Sequence, residues 1–455
     1  MKKKLLALLL STCMIIGLAA CGQEKEPETG ATDTQAPAAD AQTGTKDAEA
    51  PAADSGKKSD VTLTLAMCGD GATKESLDQL LAQYTEKTGV KVETIFIAAN
   101  WGEYCTKIQT MVGGGDDLDC AILAIEGVSK FLNMGIAEPI DDWIAENKEI
   151  SDAIFADTSP SFQDVFKDDA GSTYAFPFSF NNVVMHFNTA RLKEANLELP
   201  KDNWTKDEFL EYCKALTTEK DGVKQYAVAV PFNEYFCAEA WLYNNGASYM
   251  NEDFTESTIN SPESVEIFQL WQDLIYKYGY APIPEQNVAA VTQIINGQVA
   301  MGSWGRWPTA NYVADNFKDV AIQYLPSFKT NQQIGGVDGI FTLKNSKHVK
   351  EAKELAAWMS QADFEGQYLS VGNIPALHSL AQTKISELGI PENYEIFYLD
   401  SNTDIYKPVS APPQFTECSD IVLTAISDIC VNQANVQKTL DQAAEDMNAI
   451  LAENK

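Results

Sequence analysis

The residues best suited to binding chemistry lie in one short stretch, "AMGSWGRWPTANY", which spans 300–312. It places Trp304 and Trp307 on either side of Arg306, one of only two arginines in 455 residues. Flat aromatic faces stack on the apolar faces of small molecules, and a guanidinium holds anionic groups or hydroxyls. Gly305 would let the backbone approach a ligand closely. The same residues could instead form a packed corner of a core, so the stretch is a candidate binding wall.

The sequence lacks the motifs of the common catalytic and nucleotide-binding sites. It contains no GxSxG elbow, no HExxH pair, no Walker loop and no dinucleotide fingerprint. Of its three histidines, His186 has the setting of a satisfied interior residue, and no cysteine–histidine cluster indicates a metal. We therefore expect neither catalytic residues nor a cofactor. A glycan hydrolase stays open only because 65 acidic residues offer many carboxylate pairs.

The charge of the chain excludes one class of partner. The net charge is −32 at neutral pH. A chain this acidic repels nucleic acid and anionic lipid headgroups. We expect a small-molecule ligand and no nucleic acid.

The first 60 residues indicate export. Residues 1–20 combine three lysines, an apolar run and a small-residue end, as in a secretory signal peptide. The ending "LAAC" resembles the bacterial lipobox, which implies a lipid-modified Cys21 anchored to the membrane; an ordinary secretory cleavage is the alternative. Residues 22–60 contain no Val, Ile, Leu, Phe, Trp, Tyr or Met, so 21–60 is predicted to be a disordered linker.

The body that follows opens with strand, helix and strand. Residues 61–67 alternate as a strand, 74–89 carry apolar residues at helical spacing, and 90–98 form a second strand. A third strand is predicted at 119–125, after a helix that ends at the glycines 113–115. This order predicts an α/β domain on a parallel sheet.

Two carboxylates follow predicted strands of that sheet. Ligands of parallel sheets lie at the carboxyl ends of the strands, which nominates Asp70 after the first strand and Glu126 after the third. The alternatives are a helix N-cap for Asp70 and a solvated rim position for Glu126.

Five segments in order resemble one family, the family 1 extracellular solute-binding proteins of ABC importers, the maltose-binding-like group. They are "QLLAQYTEKTGVKVE", "GGGDDLDCAILAIEGVSKFLNMGIAEPIDDWI", "TYAFPFSFNNVVMHFNTARLKEANLELPKDNWTKDEF", "INGQVAMGSWGRW" and "GGVDGIFTLKNSKHVKEAKELAAWM". The third is the most specific, and together the five span nearly the whole body.

The resemblance implies a type II periplasmic-binding-protein fold. In that fold two α/β lobes, joined by crossing segments, close over a ligand at a hinge. One lobe would comprise 61–175 and 329–375, and the other 176–328 and 376–455. It also implies a monomer outside the cytoplasm that delivers its ligand to a membrane permease.

The resemblance also implies site residues. Trp307 falls on the position where family members carry an aromatic residue that stacks against a sugar. Glu126 and Asn181 fall on positions where they carry polar groups for the sugar hydroxyls. Phe236 falls near a second aromatic position of the family, and Tyr235 is the alternative if the alignment slips by one residue. The remaining expected contacts are Asp70, Trp304, Arg306, Gly335 and Gly336. Leu123 and Ser419 stand where maltose binders carry aromatic rings, which argues against a maltodextrin ligand.

A carbohydrate receptor is the function that this resemblance implies. A non-sugar charged solute, such as a polyamine, a peptide or an anionic compound, is the alternative. The position of Arg306 affects this alternative, because a guanidinium in the cleft would favour an anionic ligand. Our preferred interpretation is a salt bridge that Arg306 makes on the acidic surface.

Overall fold

The computed structural model describes residues 59–69, 74–285, 289–368, 373–381, 389–399 and 406–452. All of them lie in one compact unit, 57–455. Cys21, the predicted signal peptide, the predicted linker up to residue 58 and Asp70 fall outside the described residues.

The described strands form two sheets. In chain order they are β1 (Thr62–Cys68), β2 (Lys91–Ile97), β3 (Cys120–Ala124), β4 (Ala175–Asn182), β5 (Val184–Asn188), β6 (Thr218–Lys220), β7 (Val223–Val228), β8 (Val299–Trp304), β9 (Val320–Gln323), β10 (Gln333–Thr342), β11 (Ile374–Pro375) and β12 (Tyr406–Pro408).

The helices cover both sheets. They are α1 (Lys74–Thr88), α2 (Trp101–Gly114), α3 (Ile125–Met134), α4 (Asp141–Glu146), α5 (Lys148–Ala156), α6 (Pro160–Asp164), α7 (Thr189–Glu194), α8 (Lys206–Leu216), α9 (Tyr235–Asn244), α10 (Pro262–Gln272), α11 (Ala290–Ile295), α12 (Pro308–Ala314), α13 (Val349–Met359), α14 (Ala362–Tyr368), α15 (His378–Ala381), α16 (Ile396–Leu399), α17 (Phe415–Cys430) and α18 (Val436–Ala452). A π-helical turn, Asp273–Lys277, continues α10.

The large sheet has the strand order β11-β4-β10-β3-β1-β2, with β12 added beside β10. Strand β1 pairs in parallel with both β2 and β3, which confirms the parallel sheet predicted from the opening strands. Strand β10 enters antiparallel between β3 and β4. The α/β fold class is confirmed, and the sheet is mixed rather than purely parallel.

The small sheet has the order β6-β7-β8-β5-β9. Strand β4 belongs to the large sheet and β5 to the small one, so the chain passes between the sheets at Val183. It returns between β9 and β10. The lobe boundaries given above remain a prediction.

Local signals explain where several helices begin and end. The side chain of Asn100 accepts a hydrogen bond from the N–H of Glu103 at the start of α2, and Gly115 ends that helix in the left-handed conformation. The spacing of Thr205 and Glu208 predicts a capping box, and both of its hydrogen bonds are present at the start of α8.

The described cysteines are all free thiols. Six of the seven are buried, and Cys68 is half-buried. Burial raises the pKa of the Cys68 thiol to about 12. No helix in the described ranges combines the length and apolar character needed to cross a bilayer.

Candidate ligand-binding site

The end of β8 and the loop after it present two indole rings, Trp304 and Trp307, each folded back over a glycine. A Cβ atom on Gly305 would lie 2.7 Å from Cε3 of Trp307 and 2.9 Å from the carbonyl oxygen of Asn182. A Cβ atom on Gly302 would likewise overlap the ring of Trp304. Gly305 therefore makes room for the Trp307 ring. The sequence had instead suggested that this glycine would let the backbone approach a ligand.

A histidine fixes the backbone beneath this loop. His186 on β5 is fully buried, and its Nδ1 and Nε2 atoms each lie 3.0 Å from a partner, the Tyr312 hydroxyl and the Gly305 carbonyl oxygen respectively. Burial lowers the pKa of His186 to about 4, so the ring is neutral at physiological pH. This confirms His186 as a satisfied interior residue.

A cavity of about 390 Å³ opens against these indoles. Trp304, Trp307 and Phe232 provide aromatic walls, and Glu234 and Glu285 provide carboxylates. Trp304 is 5% exposed, so its ring serves mainly as packing, whereas Trp307 is only half-buried. The volume lies within the range of small-ligand sites. An apolar face beside acceptor groups suits a molecule with one apolar face and a hydroxylated rim.

Of the two alternative aromatic residues, Phe236 faces Trp307. Their ring centroids are 6.5 Å apart. Tyr235 is instead 7% exposed, and its hydroxyl donates a hydrogen bond to the Ser410 carbonyl oxygen at 2.8 Å. Tyr235 is therefore part of the core of the body built on the small sheet.

The paired glycines of β10 make room for aromatic rings. A Cβ atom on Gly335 would lie 2.9 Å from the Tyr406 side chain, and one on Gly336 would lie 3.2 Å from the Phe236 ring. Gly336 also pairs with Asn181 on β4. Phe236, from α9, thus packs directly onto a strand of the large sheet.

Arg306 is buried, with 1% of its surface exposed, so a salt bridge on the acidic surface is wrong. Its Nη1 donates to the Asn373 carbonyl oxygen at 2.9 Å, and its backbone N–H donates to Asn181 Oδ1 at 3.3 Å. Burial lowers the pKa of Arg306, and the neighbouring Tyr398 hydroxyl opposes that shift. The guanidinium therefore links the loop that follows β8 of the small sheet to the backbone of Asn373, which precedes β11 of the large sheet.

Glu126 lies in the first turn of α3 and is 7% exposed, so the solvated-rim alternative is wrong. Burial, opposed by a hydrogen bond from its own backbone N–H and aided by the nearby carboxylates of Asp338 and Glu239, raises its pKa to about 8. Within the described ranges no other residue donates a hydrogen bond to this carboxylate or forms an ion pair with it. Within the described residues, the Glu126 carboxylate thus takes a hydrogen bond only from its own backbone N–H.

Asp338 is a buried carboxylate near Glu126 that sequence reasoning did not single out. It lies on β10 beside a β-bulge opposite β4, and such bulges re-aim side chains. Its carboxylate accepts hydrogen bonds from the Ser179 hydroxyl and, at 3.1 Å, from Asn373 Nδ2. Burial raises its pKa to about 6. The "GGVDG" pattern, a polar residue after paired glycines, was the available signal.

Glu234 is the second missed residue. It precedes α9 without capping that helix and lines the cavity beside Trp307. Among the described residues its carboxylate takes a long contact of 3.9 Å from the Cys237 thiol, and burial raises its pKa to about 7. The signal was its position directly before Tyr235 and Phe236, where an aromatic residue had already been expected.

The two positions that depart from maltose binders supply no ring. Leu123 is fully buried in β3, and Ser419 on α17 donates its hydroxyl to the Thr416 carbonyl oxygen at 2.9 Å. Aromatic stacking among the described site residues therefore comes from Trp307 and its neighbours on the small-sheet side.

Comparison with known proteins places this geometry in context. A binding protein of Brucella abortus is 23% identical over 86% of this chain and 96% of its own length. An ABC substrate-binding protein of Listeria monocytogenes, solved with cycloalternan, superposes with a TM-score of 0.77 at 24% identity, covering 86% of this chain and 99% of that one. A solute-binding protein of Thermotoga lettingae, solved with α-D-tagatose, gives 0.75 at 20% identity, covering 86% and 100%.

These likenesses confirm the type II periplasmic-binding-protein fold implied by the sequence. The family model described as bacterial extracellular solute-binding protein matches residues 70–364, which is more than half of the chain. The protein belongs to the family of bacterial extracellular solute-binding proteins.

Proposed function

We propose that this protein captures a carbohydrate and is the receptor of an ABC importer. The observation that carries the proposal is the half-buried face of Trp307 in a cavity of about 390 Å³ that also exposes the Glu234 carboxylate. A pyranose needs an aromatic platform together with hydrogen-bonding groups at its rim. The structural relatives solved with cycloalternan and α-D-tagatose support a saccharide ligand.

In this proposal the residues divide the task of binding. Trp307 stacks on the sugar ring, and Phe236 closes the neighbouring side. Glu126, Glu234 and Asp338 contact polar groups of the ligand, and Asn181 and Arg306 hold the loop that carries Trp307. Asp70, on the first loop, remains a proposed contact.

Ligand capture would proceed by hinge closure. The sheets are joined at Val183 and by the segment between β9 and β10, so a rotation there changes the distance between Trp307 and Glu126. A ligand that touches both bodies binds the closed state more tightly and shifts the population towards it. Phe236 packed on Gly336 marks a contact that closure would form.

The remaining parts of the proposal concern location. The signal peptide at 1–20, lipidation of Cys21 and the linker 21–60 would tether a monomeric receptor outside the cytoplasm. The lobes 61–175 plus 329–375 and 176–328 plus 376–455 would present the closed form to a permease. Extraction with detergent and mass spectrometry of the mature N-terminus test the lipid anchor directly.

The binding function is tested by calorimetry. The purified protein is titrated with monosaccharides, oligosaccharides and sugar phosphates, beside Trp307→Ala and a control, Tyr278→Ala, whose exposed ring lies at the end of the π-helical turn. We expect a saccharide to bind, Trp307→Ala to weaken it at least about tenfold, and the control to match the parent. Failure of every saccharide, with the protein folded, would contradict the proposal.

A further inference from the structure

The two bodies of the protein also touch at a place away from the cavity. Helix α2 buries Ile108 in the core of the large sheet, and α17 buries Val422 in the core of the small sheet. The first turns of these helices meet, with Gly102 of α2 against Thr416 of α17. Neither residue is among those that line the cavity beside Trp307. The contact therefore joins the two bodies without forming part of the cavity.

Helix α17 approaches α2 so closely that a side chain at position 102 would be crowded. A Cβ atom on Gly102 would lie 3.2 Å from Thr416 Cγ2, 3.3 Å from its Oγ1 and 3.4 Å from its Cα, closer than most side chains pack. The backbone of Gly102 is helical and has no positive φ, and alanine stabilises a helix better than glycine does. The approach of Thr416, and not the backbone conformation, therefore accounts for glycine at this position.

The parts on either side of this contact are fixed. Both branches of the Thr416 side chain face Gly102, so a rotation about χ1 leaves one of them there. Helix α2 is packed on α3 at Gly127, where a Cβ atom would overlap Cys105 Sγ. The Thr416 hydroxyl donates to the Gly102 carbonyl oxygen at 3.3 Å and accepts from Lys130 Nζ of α3 at 3.4 Å. A methyl group added at position 102 would therefore move the two bodies apart rather than one helix alone.

We propose that Gly102 and Thr416 are positioning residues, which set how far the two bodies close around the ligand. The inference rests on the carbohydrate function proposed above. A ligand that touches both bodies binds tightly only when they are closed, so a contact that stops closure early lowers the affinity without touching the sugar. Phe236 against Gly336 is the contact between the bodies beside Trp307, and Gly102 against Thr416 is its counterpart outside the cavity.

An exchange of volume across the contact tests the proposal by calorimetry with α-D-tagatose, cycloalternan and mannotriose. Gly102→Ala should lower the affinity at least about tenfold for each of these saccharides that binds the parent. Its melting temperature without saccharide should not fall, because opening relieves the crowding and alanine favours the helix. Adding Thr416→Ala removes both crowding branches and should return the affinity to within about threefold of the parent. Gly113→Ala, on the same helix with nothing within 4 Å of the added atom, is the matched control and should bind as the parent does.

A disulfide cross-link tests the same contact without a ligand. The distances of 3.2 to 3.4 Å place positions 102 and 416 within the reach of a disulfide bond. Gly102→Cys combined with Thr416→Cys is treated with oxidised glutathione, which is reduced to two glutathione thiols as the two protein thiols are oxidised. We expect the cross-linked peptide in mass spectra, and a radius of gyration that does not exceed that of the reduced form. Gly113→Cys combined with Thr416→Cys, about 16 Å farther along α2, should not cross-link.

The outcomes separate this inference from the function on which it rests. Parental affinity in Gly102→Ala overturns the inference, and so does a loss of affinity that Thr416→Ala does not restore. A folded cysteine variant that does not cross-link, or that is more compact when reduced, overturns it as well. Each of these results leaves the carbohydrate function standing. Failure of every saccharide to bind the parent overturns that function instead, and the cross-link and the radius of gyration then decide this inference by themselves.

Discussion

The Trp307 indole lies over Gly305 so closely that a Cβ atom there would be 2.7 Å from Cε3, with the Asn182 carbonyl oxygen 2.9 Å away. We expect Gly305→Ala to displace the ring and weaken ligand binding about tenfold, because the Asn182 carbonyl oxygen is backbone and the half-buried Trp307 ring must give way. Gly113→Ala is the control, since a Cβ atom there meets nothing within 4 Å. Calorimetry with the ligand found in the saccharide screen measures both; unchanged affinity in Gly305→Ala would remove Trp307 from the site.

The two tryptophans of the loop should separate binding from stability. Trp304 is 5% exposed, so Trp304→Ala should lower the free energy of unfolding by about 3 kcal/mol. Trp307 is half-buried, and its replacement should cost much less stability while weakening binding at least about tenfold. Denaturant unfolding beside calorimetry tests this. Equal losses of stability in the two variants would contradict it.

Arg306 should stabilise the fold and should not determine whether the protein prefers charged or neutral ligands. Arg306→Ala removes the donor to the Asn373 carbonyl oxygen, and we expect a loss of about 2–4 kcal/mol in the free energy of unfolding. Lys350→Ala, at an exposed cation, should change stability by less than about 0.5 kcal/mol. The opposite result would be an Arg306→Ala variant that keeps its stability but shifts its preference from sugar phosphates to neutral sugars. That result would mean that the guanidinium contacts the ligand.

The burial of Glu126 predicts a pH dependence of stability. Its pKa is raised from 4.5 to about 8, chiefly by burial and further by Asp338 and Glu239. Between these values the folded protein binds more protons than the unfolded chain, so the free energy of unfolding falls as pH rises from about 5 to 8. Glu126→Gln should flatten this fall and be the more stable form at pH 8, by a few kcal/mol at most.

The measurement is urea unfolding at pH 5, 6.5 and 8 without ligand. Asp338 and Glu234 contribute similar falls that end near pH 6 and 7, and buried His186 gives an opposite slope below about pH 6.5, so the test is the difference between the parent and variant curves from pH 6.5 to 8. The exposed control Glu149→Gln should follow the parent curve at every pH. A parent curve that rises from pH 5 to 8 would show that Glu126 is ionised and paired in the folded protein.

Local sequence patterns predict much of the fold. The opening strands and helix, the glycine end of α2 and the capping box of α8 are set by short-range rules, and the structure contains each of them. The entry of β10 between β3 and β4 was not readable. That pairing joins segments about 160 and about 210 residues apart, as the pairs Asp338–Ser179 and Asp338–Ala124 show, and no local pattern encodes it.

The site was predicted in part for the same reason. Trp307 stood out by type and spacing, but its partners depend on distant segments. Arg306 was misplaced on the surface because its acceptor, Asn373, lies 67 residues along the chain. Glu234 and Asp338 were overlooked because a carboxylate in a chain with 65 acids carries no signal until the fold buries it.

The place of β10 in the large sheet sets an order of assembly for an exported chain. The small sheet is complete once β9 has emerged, at residue 323. Until residue 342 follows, β3 and β4 lack the strand that joins them, and β4 has no neighbour. Chains that emerge from their N-terminus fold unit by unit in that direction. Here the small sheet can pair before the large one, although α17 and α18, which complete its core, follow later, and the unpaired edge of β3 is the surface most in need of protection during synthesis.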